Sequence, residues 1–197
     1  MTELSSLSEV DAVIGEILIN ANDGLHYDNI KTENLLDSGE DSLVCKYGNE
    51  VYKFYGHGRL RRGNLDFWRE KLDLYEKTTN KAANFCNEKS LSFEAGNGLT
   101  YKLSVNPILD VSFSKRYNSV VARSPLVGGQ RLSDSELAQD EATQSFLRIS
   151  NRQISDHLKV RGIDFSVDGY NVRVFPGNIV ITDLHQHLYN GLTPFRK

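Results

Sequence analysis

Apolar residues recur at helical spacing in two stretches of the chain. The first stretch runs from Ser8 to about Asn20, and Ser8 is a suitable N-cap because its side-chain oxygen can accept from a backbone N–H of the first turn. Its apolar positions are Val10, Val13, Ile14, Ile17 and Leu18. The second stretch, residues 65–87, contains no proline or glycine. The residues that recur in it at helical spacing are Leu65, Trp68, Leu72, Tyr75, Thr79 and Ala82. Both stretches predict amphipathic helices, and the second helix is the longer.

Alternating apolar residues on either side of short turns predict two β-hairpins. In the first, two strands flank Gly48-Asn49, a dipeptide that suits a two-residue loop because both positions tolerate positive φ. The second runs from Val172 to Ile181 around Pro176-Gly177, a pair that suits a type II turn.

Two further strands and a second helical region complete the predicted elements. The strands cover residues 99–105 and 118–123, and Pro125 is expected to end the second one because it cannot donate to the ladder. The glycine pair at 128–129 predicts a break, after which residues 133–160 predict one or two helices. This order of strands and helices predicts an α+β protein.

Composition narrows the function classes. A net charge of -3 argues against a surface dominated by nucleic-acid contacts, and the basic cluster Arg59-Leu-Arg-Arg62 is expected to be a solvated loop. Cys45 and Cys86 form no paired motif, so buried free thiols are expected. His185 and His187 lack the partners of a zinc site. The chain has no membrane-spanning run and no secretion signal, which predicts a cytoplasmic protein.

The sequence also lacks the motifs of three common enzyme classes. It contains no GxSxG, no HExxH and no complete Walker motif. The usual hydrolase, zinc-protease and P-loop interpretations are therefore not supported.

The order of the predicted elements resembles the protein-kinase-like superfamily over roughly Glu33 to His187. It comprises a glycine turn, a strand pair carrying Lys53, a long helix, strands, a hinge, helices and a final hairpin between Asn171 and Asp183. The resemblance implies an N-terminal helical extension over 1–32, a β-rich N-lobe with a long helix over 33–123, and a hinge with a reduced helical C-lobe over 124–197.

The first hairpin resembles the nucleotide-binding part of that family. In the phosphate-loop pattern GxGxxGxV, Val44 takes the position of the valine and Gly39 that of the middle glycine, while non-glycine residues replace the other two glycines. Val51 is the small apolar residue two positions before Lys53. The resemblance implies that Lys53 holds nucleotide phosphates.

A helix glutamate and the hinge complete the implied nucleotide site. In the family a glutamate on the next helix pairs with the lysine, and Glu70 and Glu76 are both candidates here. Residues 120–129 are similar to the fifth strand and hinge, which places Leu126 where backbone groups meet the adenine edge.

The final hairpin resembles the metal-binding part. The family places an asparagine and the aspartate of its DFG motif at the two ends of such a hairpin, which implies Asn171 and Asp183 as Mg2+ ligands. Ser166 stands where the family has its catalytic aspartate, so the base is expected to be Asp164 or, with a shorter loop, Asp168.

The resemblance implies ATP and Mg2+ bound in an interlobe cleft, with phosphoryl transfer as the reaction. The alternative is a pseudokinase, an inactive member that serves as a binding or scaffold module, and a small α+β protein unrelated to kinases is the third interpretation. Reduction of the C-lobe predicts a protein partner or a homo-oligomer. No membrane or nucleic-acid partner is expected.

Overall fold

The computed structural model describes residues 8–38, 42–57, 65–159 and 171–184, apart from the side chains of 65–67 and 70. Within these residues the chain is a mixed α+β protein with three α-helices and two five-stranded sheets, which confirms the predicted class. The helices are α1 (Glu9–Ile17), α2 (Leu65–Lys89) and α3 (Glu141–Leu158). The strands are β1 (Leu35–Ser38), β2 (Ser42–Tyr47), β3 (Glu50–Tyr55), β4 (Ser92–Glu94), β5 (Thr100–Val105), β6 (Asp110–Ser114), β7 (Ser119–Pro125), β8 (Gln130–Arg131), β9 (Val172–Phe175) and β10 (Asn178–Ile181).

The chain divides into two compact units. Unit 1 comprises Met1–Leu74 and Ile108–Leu126, and unit 2 comprises Tyr75–Pro107 and Val127–Lys197. The long helix α2 therefore begins in unit 1 and ends in unit 2.

Unit 1 is built on an antiparallel sheet with the strand order β1-β2-β3-β7-β6. The predicted hairpin at Gly48-Asn49 joins β2 to β3. Gly48 has a φ of +59°, whereas Asn49 is not among the residues with positive φ. Only the first loop position therefore needs the conformational freedom of glycine.

Helix α1 packs its apolar stripe on one face of this sheet. The Ser8 side chain accepts from the Asp11 backbone N–H, as expected for the N-cap. The core on this face includes Ile14, Ile17, Leu18, Leu43, Cys45, Tyr52, Phe54 and Val121. Asp11 also accepts a hydrogen bond from the Ser114 hydroxyl at 2.5 Å, which ties the helix to β6.

Strand β7 ends at Pro125, as expected, which is two residues beyond the predicted bound at residue 123. Pro125 pairs with Glu50 of β3. On the other side of β7, pairing with β6 extends only to Arg123. A proline is tolerated at this end because the ladder there has only one neighbouring strand.

Unit 2 contains a second sheet with the order β4-β5-β10-β9-β8. The predicted final hairpin forms β9 and β10, with a φ of +76° at Gly177. Strand β10 also pairs in parallel with β5, which lies far away in the sequence. The sequence analysis predicts several of these strands but not their assembly into one sheet.

The predicted helical region at 133–160 is only partly α-helical. Short 3-10 helices cover Leu132–Asp134 and Glu136–Gln139, and α3 begins at Glu141. Asp140 is the N-cap, because its carboxylate accepts from the Thr143 backbone N–H at 2.7 Å.

Candidate functional site

Lys53 lies in the middle of β3 and is buried. Its partners across the ladder are Val44 of β2 and Ala122 of β7, so these three side chains share one face of the sheet. Tyr52 and Phe54 alternate to the opposite face, in the core with α1. Only 9% of Lys53 is exposed.

The first part of α2 covers the face of the sheet that carries Lys53. The ring of Trp68 packs on Tyr55, two residues after Lys53, with centroids 5.0 Å apart. The guanidinium of Arg69 lies 3.9 Å from the centroid of the Phe113 ring. Lys53 therefore lies on the face of the sheet that α2 covers.

The two candidate glutamates both lie in α2. Glu70 belongs to the part of the helix in unit 1, and its side chain is outside the described part of the structure. Glu76 belongs to unit 2 and is half-buried.

The other predicted nucleotide residues are found around the same strands. Val44 and Val51 are half-buried on the face that carries Lys53. Leu126 follows β7 directly, is 39% exposed and donates its backbone N–H to the Asn49 carbonyl at 2.9 Å. Gly39 lies outside the described residues.

Asn171 and Asp183 lie at the open end of the β9–β10 hairpin in unit 2, and both are half-buried. The Thr182 backbone N–H donates to the Asn171 carbonyl at 2.7 Å, and the Thr182 hydroxyl donates to the same carbonyl at 3.1 Å. Asn171 is therefore paired with the residue immediately before Asp183. The candidate bases Asp164 and Asp168 lie outside the described residues.

One oxygen of Asp183 is bound by a tyrosine of α2. The Tyr75 hydroxyl donates to Asp183 Oδ1 at 2.8 Å. Tyr75 is buried, with 3% of its surface exposed. This contact joins α2 to the end of the final hairpin.

Asn171 and Asp183 suit a hard cation in ligand type. Mg2+ prefers oxygen ligands and is commonly bound by one or two protein carboxylates together with substrate phosphates. No cluster of three or more histidine, cysteine, aspartate or glutamate side chains forms a metal-binding group within the described ranges. The pair fits Mg2+ only as a partial ligand set that phosphate oxygens would complete.

A separate groove of about 240 Å³ lies in unit 1, on the side of the sheet opposite Lys53. In it the Arg123 guanidinium lies 3.8 Å from the Glu9 carboxylate and 3.6 Å from the Glu50 carboxylate. The Tyr52 hydroxyl donates to Glu50 at 2.9 Å. Burial and then this hydrogen bond to Glu50 raise the pKa of Tyr52 to about 12.

The two cysteines are free and buried, as expected. Burial raises the pKa of Cys45 to about 12 and that of Cys86 to about 11. Both thiols therefore stay protonated at neutral pH, which disfavours a nucleophilic role. His185 and His187 lie outside the described residues.

Comparisons with known proteins assign this chain to no family. No protein-family model matches the sequence, and no curated protein matches it. None of the helices in the described ranges is long and apolar enough to span a membrane.

The sequence analysis missed Tyr75 as a residue of the site. It placed Tyr75 in the apolar stripe of the long helix, which is where the residue lies. The available signal was the hydroxyl, because a buried tyrosine O–H usually requires a hydrogen-bond partner. Sequence spacing gave no indication that this partner is Asp183.

Proposed function

We infer that this chain is a kinase-like protein that binds ATP together with Mg2+. The observation that supports the proposal most strongly is Lys53, a buried lysine on the third strand of an antiparallel sheet, on the face covered by α2. In kinases the phosphate-binding lysine occupies the third strand and a long helix follows it.

Each candidate residue has a separate role in the proposed complex. Lys53 neutralises nucleotide phosphate charge, and Glu70 or Glu76 orients the lysine. Asn171 and Asp183 hold Mg2+, and the ion would neutralise the charge that develops on the transferred phosphoryl group. Val44 and Val51 supply apolar surface beside the lysine.

Phosphoryl transfer requires a base in addition to these groups. A candidate base must come within hydrogen-bond reach of the acceptor hydroxyl, and Ser166 occupies the position at which the family has its aspartate. Asp164 is the first candidate and Asp168 the second. The same departure favours the second proposed function, a pseudokinase that binds nucleotide without transferring phosphate.

Thermal unfolding with and without ATP and Mg2+ tests the binding proposal. A ligand present at a hundred times its Kd stabilises the native state by about 2.7 kcal/mol, or roughly 5–10 °C in Tm for a chain of this size. Lys53→Met and Asp183→Ala are each expected to lose most of this increase. The ligand-free Tm of each variant is its own baseline.

Two exposed residues provide matched controls. Lys102→Met removes an exposed lysine of β5, and Asp134→Ala removes an exposed aspartate of a 3-10 helix. Both should retain the full increase. No increase for the wild-type chain at millimolar ATP and Mg2+ would refute the proposal, whereas an increase without phosphate transfer to any acceptor or to water would favour the pseudokinase.

A further inference from the structure

The hydrogen bond from the Tyr75 hydroxyl to Asp183 Oδ1, at 2.8 Å, links α2 to the end of the final hairpin. We propose that Tyr75 is a positioning residue that orients the Asp183 carboxylate for Mg2+. This inference rests on the proposed function, because it assigns a role to a residue that supports a metal ligand. Tyr75 itself does not contact the metal.

The burial of Tyr75 makes it suitable for this role. With 3% of its surface exposed, its ring is fixed by packing, and its position in α2 fixes the backbone from which it extends. A donor held in this way restricts the rotation of the carboxylate that it binds. Ligating carboxylates are commonly hydrogen-bonded by such outer partners, and their loss typically lowers metal affinity about 10- to 100-fold.

The hydrogen bond is compatible with metal binding by the same side chain. A carboxylate offers about four acceptor sites on its two oxygens, so the single hydrogen bond from Tyr75 to Oδ1 does not by itself prevent a metal ion from binding. The two bonds from Thr182 to the Asn171 carbonyl fix the adjoining backbone. These two bonds at the end of the β9–β10 hairpin thus set the position of the Asp183 backbone, and Tyr75 sets the orientation of the Asp183 carboxylate.

The test is Tyr75→Phe, which removes only the hydroxyl. ATP binding is titrated as a function of Mg2+ concentration and, separately, in EDTA. We expect the half-saturating Mg2+ concentration to rise about 10- to 100-fold, with metal-free ATP affinity unchanged. A purely structural defect would instead weaken both.

Tyr101→Phe is the matched control. Tyr101 is also a buried tyrosine of unit 2, and its hydroxyl accepts a hydrogen bond from the Asn97 side chain at 3.3 Å. Its loss should leave the Mg2+ dependence unchanged. Asp183→Glu provides a second test that leaves α2 intact, because it retains the charge but shifts the carboxylate by one methylene, and it should also weaken Mg2+ binding.

The outcomes separate this inference from the proposed function. If Asp183→Ala abolishes the Mg2+ dependence while Tyr75→Phe and Asp183→Glu behave like the wild type, the positioning role is wrong and the metal assignment stands. Tighter Mg2+ binding by Tyr75→Phe would also overturn the inference, since the hydroxyl would then compete with the ion. If Asp183→Ala leaves the Mg2+ dependence intact, both proposals fail.

Discussion

Lys53 in unit 1 and Asp183 in unit 2 are held in different ways. Lys53 lies within a central strand, with a cross-strand partner on each side and α2 packed over its face. Asp183 follows a strand end, is half-buried, and is held by the Tyr75 hydroxyl. Changes around Lys53 should therefore alter folding stability, whereas changes around Asp183 should alter ligand affinity with a smaller effect on folding.

The largest stability effect is expected from Trp68→Ala. Trp68 is 1% exposed and packs on Tyr55 of the strand that carries Lys53. Removal of a buried aromatic ring costs about 3–5 kcal/mol, from lost burial and the remaining cavity. The free energy of unfolding by urea measures this loss.

Ile149→Ala is the control for this prediction. Ile149 is a large apolar residue of α3 that is 56% exposed, and surface changes usually stay within about 0.5 kcal/mol. If both variants lose a similar amount, α2 does not pack on the sheet as described. The contrast between the surroundings of Lys53 and those of Asp183 would then disappear.

A smaller loss is expected from Asp11→Ala, which breaks the buried tie between α1 and β6. The Ser114 hydroxyl loses its charged acceptor at 2.5 Å in a fully buried position. Hydrogen bonds to charged groups contribute about 1.5–3 kcal/mol. Tyr75→Phe also removes a hydrogen bond to a carboxylate, but Asp183 is half-buried and partly hydrated, so the loss should be smaller, about 1 kcal/mol.

Asp23→Ala controls for the loss of an aspartate in the same unit. Asp23 accepts from the Asn20 side chain in an exposed hydrogen bond at 2.8 Å, so its removal should change stability by less than about 0.5 kcal/mol. If Tyr75→Phe lowers the free energy of unfolding by as much as Asp11→Ala or by more, the comparison between the two units is reversed.

The sequence predicted the elements whose apolar residues follow a single clear period. The long helix was expected over 65–87 and forms Leu65–Lys89, and both hairpins form around the predicted turns. Strand β6 was missed although Val111 and Phe113 alternate with polar residues in it. Ser114 of this strand is fully buried and donates to Asp11, a contact that apolar periodicity does not reveal.

The other features that the sequence could not predict depend on contacts between residues that lie far apart in the chain. The parallel alignment of β10 with β5 joins two segments that each look like an ordinary strand, and neither segment encodes its partner in its local pattern. The Tyr75–Asp183 hydrogen bond is similar, because it joins residues 108 positions apart. Lys53 was predictable as a candidate because the hairpin that carries it, including its partner Val44, is local in sequence.

The smallest predicted effect concerns the alkaline stability of unit 1. The pKa of Tyr52 is raised from 10.0 to about 12, chiefly by burial and then by its hydrogen bond to Glu50. In the unfolded chain the phenol ionises near its ordinary pKa, while the folded chain retains the proton. The contribution of Tyr52 to the free energy of unfolding is fully present below pH 10 and is lost as the pH rises toward 12.

The test is Tyr52→Phe. Near neutral pH it should lower the free energy of unfolding by about 1 kcal/mol through the lost hydrogen bond, and this difference from the wild type should shrink above pH 10. Unfolding by urea between pH 8 and pH 11 measures the difference, with the exposed Tyr27→Phe as control. A difference that stays constant across this range would mean that Tyr52 is not held as a protonated, buried phenol.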